Sequence, residues 1–183
     1  MNKAVVFSFL ILGISTAWSQ ADSVCNPSFE TGLTDWQNFA NNGAVATFDT
    51  SAVAATEGAV GVVIDIQDVS AGTCVLSACI SDMYANQTYR MSFWAKSDNA
   101  VEVLATISKA SPGYNNYASA NVVLSSDWVQ YEISGSVADD LLSDVRLAKF
   151  KFLSEGTVMI DDLQIDILEL TPETVSYTHL TLP

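Results

Sequence analysis

Tyr89-Arg90-Met91-Ser92-Phe93-Trp94-Ala95-Lys96 decides the fold class. Side chains along a β-strand alternate between two faces, so Tyr89, Met91, Phe93 and Ala95 share one side and Arg90, Ser92, Trp94 and Lys96 the other. One side is bulky and apolar; the other carries two cations, a hydroxyl and an indole. That is a strand with one face packed on a core and one face open. Working outward, residues 101–107 alternate in the same way around Val101, Val103, Ala105 and Ile107. Residues 128–133 and 157–167 repeat the pattern, and residues 59–66 and 74–80 are shorter β-rich runs. Turn-forming clusters separate them at residues 97–99, 111–116, 125–127 and 154–156. Short strands with regular turns and no sustained helical period predict an all-β, antiparallel β-sandwich. Residues 137–142 alone could form a helical turn.

The two ends read differently. Residues 1–19 have the build of a secretory signal peptide: Lys3, an apolar run over residues 4–14, and small Ala17 and Ser19 placed for a cut before Gln20. The run is too short to span a bilayer, which takes roughly 20 residues. Cys25 does not fit a lipoprotein acceptor, because Asp22, Ser23 and Val24 separate it from the apolar run. Residues 175–183 resemble the translation of a transposon-type sequencing adapter and are read as foreign. His179, the only histidine, goes with them. Residues 169–174 read as the start of a linker, so the natural product is expected to continue. Residues 20–168 are left as one domain of ordinary size. A leader implies a secreted or extracellular protein, with the periplasm or the cell surface as other destinations it allows.

The formal net charge is −14. So acidic a chain is expected to avoid nucleic acid and anionic membranes, with no membrane insertion. It suits a monomer with a neutral ligand, a basic ligand or Ca²⁺. The three cysteines, Cys25, Cys74 and Cys79, can form one disulfide in an oxidising compartment. Cys74 and Cys79 lie five apart, on opposite faces of a straight strand, so pairing them needs a turn or bulge. Cys25 could equally pair with either. No Cys/His metal spacing is present.

Asn26-Pro27-Ser28-Phe29-Glu30-Thr31-Gly32-Leu33-Thr34-Asp35-Trp36 resembles the opening motif of the carbohydrate-binding modules of families 4 and 9. The stretch from Tyr89 to Lys96 resembles their Tyr-x-x-Ser-Phe-Trp-Ala-Lys strand. Trp128-Val129-Gln130-Tyr131 resembles their Trp-x-x-Tyr strand. Val158-Met159-Ile160-Asp161-Asp162-Leu163 resembles the closing Ile-Asp-Asp-Val strand. Pro27 stands where the family often has Gly. The resemblance implies a galactose-binding-like jelly roll, a polysaccharide or oligosaccharide partner, and no catalysis. It also implies a structural Ca²⁺ site at Glu30 and Asp161, with Glu57 of the Ala55-Thr56-Glu57-Gly58 loop as a further ligand. A hard cation takes carboxylate and carbonyl oxygens. The first and last strands would then be edges clipped together by the ion.

Sugar recognition needs flat aromatic rings with polar groups beside them. Trp94 and Arg90 share the polar side of their strand, and Tyr114-Asn115-Asn116-Tyr117 is a loop with two aromatics and two amides. Arg90, Trp94, Tyr114 and Tyr117 are therefore the candidate sugar contacts. Phe29, Phe93, Trp36 and Trp128 are expected in the core. Glycoside hydrolysis needs two carboxylates facing across a cleft, and no motif places such a pair. With no native His, a Ser-His-Asp triad is excluded. The competing reading is a structural or adhesive extracellular sandwich without a sugar site.

Overall fold

The computed structural model describes residues 24–83, 87–137 and 142–168. The expected leader, the linker-like residues 169–174, the adapter-like tail and most of the expected helical turn lie outside these residues. Among the described residues eleven strands form: β1 (Gln37–Asn41), β2 (Val45–Ser51), β3 (Gly61–Asp68), β4 (Thr73–Ser77), β5 (Ile80–Met83), β6 (Gln87–Ser97), β7 (Glu102–Lys109), β8 (Asn116–Val123), β9 (Val129–Val137), β10 (Leu142–Phe152) and β11 (Gly156–Leu168). One sheet has the order β1-β4-β10-β7-β8, with β5 pairing β10 beyond the end of β4. The other has the order β2-β3-β11-β6-β9. All pairings are antiparallel, and the chain passes repeatedly from sheet to sheet. This is the jelly-roll sandwich.

The alternation that predicted β6 is realised. Tyr89, Met91, Phe93 and Ala95 are fully buried between the sheets, while Arg90, Trp94 and Lys96 stand half-buried on the outer side. Phe93 meets Phe150 of the opposite sheet edge-on at 4.8 Å between ring centroids, and lies against Tyr131 of β9 at 5.7 Å. Burying each such side chain contributes roughly 1.5–3 kcal/mol. The expectation that the last strand is an edge is overturned: β11 lies between β3 and β6 and is bonded on both sides.

The opening motif forms turns that close one end of the sandwich. Phe29 and Trp36 are buried there, 4.7 Å apart, and Trp36 Nε1 donates to Asn26 O at 3.0 Å. Leu163 N donates to Pro27 O at 3.1 Å, tying this segment to β11. Cys25 bridges to Cys79, in the short break between β4 and β5, with 6.0 Å between Cα atoms. Cys74 is left as a buried free thiol, because its position in β4 turns it into the core.

Candidate functional site

The four residues expected to touch sugar do not all gather at one place. Arg90 and Trp94 share the outer face of the five-stranded sheet, four residues apart on β6, or about 13 Å along the strand. Arg90 is engaged by acids: Nε and Nη2 donate to Asp166 Oδ2 at 3.0 and 2.6 Å, and Nη1 lies 3.6 Å from Glu132. These contacts push its pKa further up. Trp94 borders a shallow depression with Trp128, Thr56, Glu57 and Asp162. Trp128 was expected in the core; instead it is half-buried on this outer face, with Lys96 Nζ 4.9 Å from the ring centroid. Tyr114 is 62% exposed at a turn with φ of 39°. Tyr117 packs against the margin of the core at the opposite end of β6 from Trp94, since it adjoins Gly135, which pairs with Tyr89.

Glu30 and Asp161 hold one loop, residues 55–60. Asp161 is fully buried, and its Oδ2 accepts from Thr56 N (2.6 Å), Thr56 Oγ1 (2.9 Å) and Glu57 N (3.0 Å). Glu30 Oε1 accepts from Ala59 N (2.8 Å) and Val60 N (3.2 Å). Gly58 has φ of +68°, and a Cβ there would lie 2.2 Å from Glu30 Oε1, so glycine lets the carboxylate reach the backbone. Glu57 contributes its N–H, and its side chain is exposed. Among the described residues no three acidic, Cys or His side chains gather as a metal cluster. One atom nevertheless fits a cation: Asp161 Oδ1 is buried and has no hydrogen-bond partner. A buried anionic oxygen without a donor is costly, and a hard cation completed by loop carbonyls would satisfy it.

The outer face of the six-stranded sheet went unremarked in the sequence. Strand register lays out three rows across it. Phe39, Val75, Lys151, Leu104 and Asn121 form the first, and Gln37, Ser77, Lys149, Thr106 and Ser119 the second. Ile80, Arg146, Ser108 and Asn116 form the third. The short central side chains are almost wholly shielded, with Ser77 at 2%, Thr106 at 3% and Ser108 at 1% exposure, while Phe39 at the margin is 40% exposed. Short side chains on β4 and β7 thus lie low on either side of the long basic side chains of the central strand β10, which gives the face the outline of a trough. Arg146 lies fixed in it: Nη1 donates to Ala78 O and Nη2 to Gln37 Oε1, both at 2.6 Å. Ser108 Oγ in the floor has no partner. The missed signal is the alternation Lys149-Phe150-Lys151-Phe152.

The chain belongs to the family described as Carbohydrate binding domain, the modules of families 4 and 9, whose family model matches residues 21–148; these modules are non-catalytic. Comparison with curated proteins found no match. Solved structures share the fold. The enzymatically active domain of tailspike protein 4 from bacteriophage CBA120 is 18% identical with a TM-score of 0.63; the match covers 80% of this chain and 21% of that one. A structure titled "CBM4 structure and function" is 19% identical with a TM-score of 0.60, covering 80% of this chain and all of that one. The CBM22-1 xylan-binding domain of Xyn10C from Paenibacillus barcinonensis is 17% identical with a TM-score of 0.57, covering 85% and 100%.

Proposed function

We propose that this domain is the polysaccharide-binding module of an exported protein, and that the trough on the six-stranded sheet holds the glycan. The trough itself carries the reading. It offers an exposed ring at Phe39 for stacking on a pyranose face, with Gln37, Ser119 and Asn121 for hydroxyls. Five strands give it a width of about 19 Å, room for several sugar units. Similar folds appear in a module bound to a β-1,4-galactotriose and in another bound to a mixed-linked tetrasaccharide, which supports an oligosaccharide as ligand class. Export rests on the leader read at residues 1–19, and the linker-like residues 169–174 support a longer parent protein. The domain is taken to act as a monomer that binds neither nucleic acid nor membranes. Among the described residues, no helix is long and apolar enough to cross a membrane. A structural Ca²⁺ at Asp161 belongs to the same reading, supported by the unpartnered Oδ1.

A second reading puts the sugar on the other face, and one observation favours it: Trp94 and Trp128 line a common depression beside Glu57 and Asp162. Affinity electrophoresis over a panel of soluble polysaccharides, with Ca²⁺ present, separates the two. Phe39→Ala should abolish retardation and Trp94→Ala should leave it. The reverse result moves the site to the Trp94 face. No retardation by any glycan leaves the structural or adhesive reading.

A further inference from the structure

The chain has seven basic residues in all, and three of them, Arg146, Lys149 and Lys151, stand on the outer side of one strand, β10. They line the middle of the trough, one in each of its rows. Of the other described cations, Arg90 lies against Asp166 and Glu132 and Lys96 over the Trp128 ring, and none shares a face with two more as these three do. Among the described residues, neither Lys149 nor Lys151 has a carboxylate within salt-bridge distance. Arg146 bonds only neutral oxygens, with Asp144 acting on it from a greater distance. Burial lowers the pKa of Lys149, and the charges of Arg146 and Lys151 lower it further. Concentrating like charges on a half-buried surface costs stability, and a molecule carrying 21 acidic side chains had the means to offset it. The unpartnered Ser108 Oγ, in register with Arg146, is a second unsatisfied polar group in the same floor.

Resting on the reading of the trough as the sugar site, we propose that it selects polysaccharides bearing anionic groups, either uronate carboxylates or sulfate esters. Phe39 stacks on a ring while Lys149 and Lys151 meet the anionic substituents, and Arg146 adds positive field from a fixed position. The overall charge of −14 does not forbid this, because charges beyond roughly 8 Å are screened at physiological salt. Local complementarity then decides the partner.

The test uses the full chain on a matched panel: polygalacturonate and alginate for uronates, a carrageenan for sulfate esters, and xylan and mixed-linkage β-glucan as neutral controls. Retardation by an acidic glycan that weakens with added salt, and a loss of about tenfold in affinity for Lys149→Gln or Lys151→Gln, support the inference. Which acidic arm responds tells carboxylate from sulfate. The salt dependence of the unaltered protein is an independent readout should a variant fold poorly. Binding only to neutral glycans, unchanged in both variants, overturns the anionic selectivity and leaves the sugar site standing. Equal retention of polyglutamate or duplex DNA also overturns it, as attraction to any polyanion. Binding to nothing on the panel removes both readings.

Discussion

At the scale of single residues, Asp161 does most to hold the loop of residues 55–60. It is the acceptor for two backbone N–H groups and one hydroxyl of residues 56–57, from a fully buried position. Removing it in Asp161→Ala orphans those donors and is expected to destabilise by about 3 kcal/mol, read from urea unfolding. If Oδ1 holds Ca²⁺, a chelator lowers the melting temperature of the unaltered domain and has no effect on the Asp161→Ala protein. An unchanged melting curve on chelation rules out the ion. Cys74 makes a second residue-scale test. Burial pushes its thiol up to about 11. The stability this confers is whole below the unfolded-state value near 9 and is lost as pH rises toward 11. At pH 8 iodoacetamide should therefore leave the native protein unlabelled and take up one equivalent after denaturation; labelling of the native state would contradict the burial. Residue roles were only partly legible. The family resemblance implied Glu30 and Asp161 as a pair, and both bond the backbone of one loop; their hydrogen-bonding role there is not something residue type alone announces. Trp128 misled, because an indole in a strand motif gives no sign of whether it faces the core or lies flat under a lysine on the outside.

At the scale of elements, strands were legible where alternation ran unbroken and hidden where it slipped. β6 alternates between the two faces along its length, so residues 89–96 announce a strand. In β10, Leu147 and Ala148 both face the core, so Arg146 and Lys149 share the outer face although three residues apart. That bulge erased the period from the strand that carries the trough's cations. The same slip in β11 puts Asp161 and Gln164 against neighbouring outward positions of β6, with Asp162 turned to φ of 44°. β8 leaves no clear pattern in the sequence, because Ala118, Ser119, Ala120 and Asn121 are small and give little hydrophobic contrast. Element packing makes its own prediction at Gly135 of β9. A Cβ there would sit 2.1 Å from the carbonyl oxygen of Tyr117, where the edges of the two sheets meet. Gly135→Val should separate β8 from β9 and lower stability by about 3 kcal/mol in denaturant unfolding. Ser134→Ala, an exposed neighbour, serves as control and should change it little. Equal stability of the two variants would mean the sheets are not closed at this edge.

At the scale of the whole molecule, the sandwich is open at one end and closed there by the segment before β1. Phe29 and Trp36 fill that end, and little backbone pairing holds the segment: among the described residues, Leu163 N to Pro27 O is its bond to β11. The Cys25–Cys79 bridge supplies the missing constraint across 54 residues of chain. The sequence left three pairings open because spacing alone cannot say which sulfur faces the core; burial of Cys74 decides it. Closing a loop of that length removes unfolded-state entropy worth about 4 kcal/mol. For a domain of this size that corresponds to a melting temperature lowered by on the order of 10 °C on reduction. The two sheets complete the core without the bridge, so the reduced protein should remain folded at room temperature, with its near-ultraviolet circular dichroism retained. The Cys25→Ser/Cys79→Ser double variant should melt where the reduced protein does. A reduced protein that melts with the oxidised one would show that the segment is held by its aromatic packing alone. Loss of all tertiary signal on reduction would show that the end closure, and not the facing sheets, carries the stability of the fold.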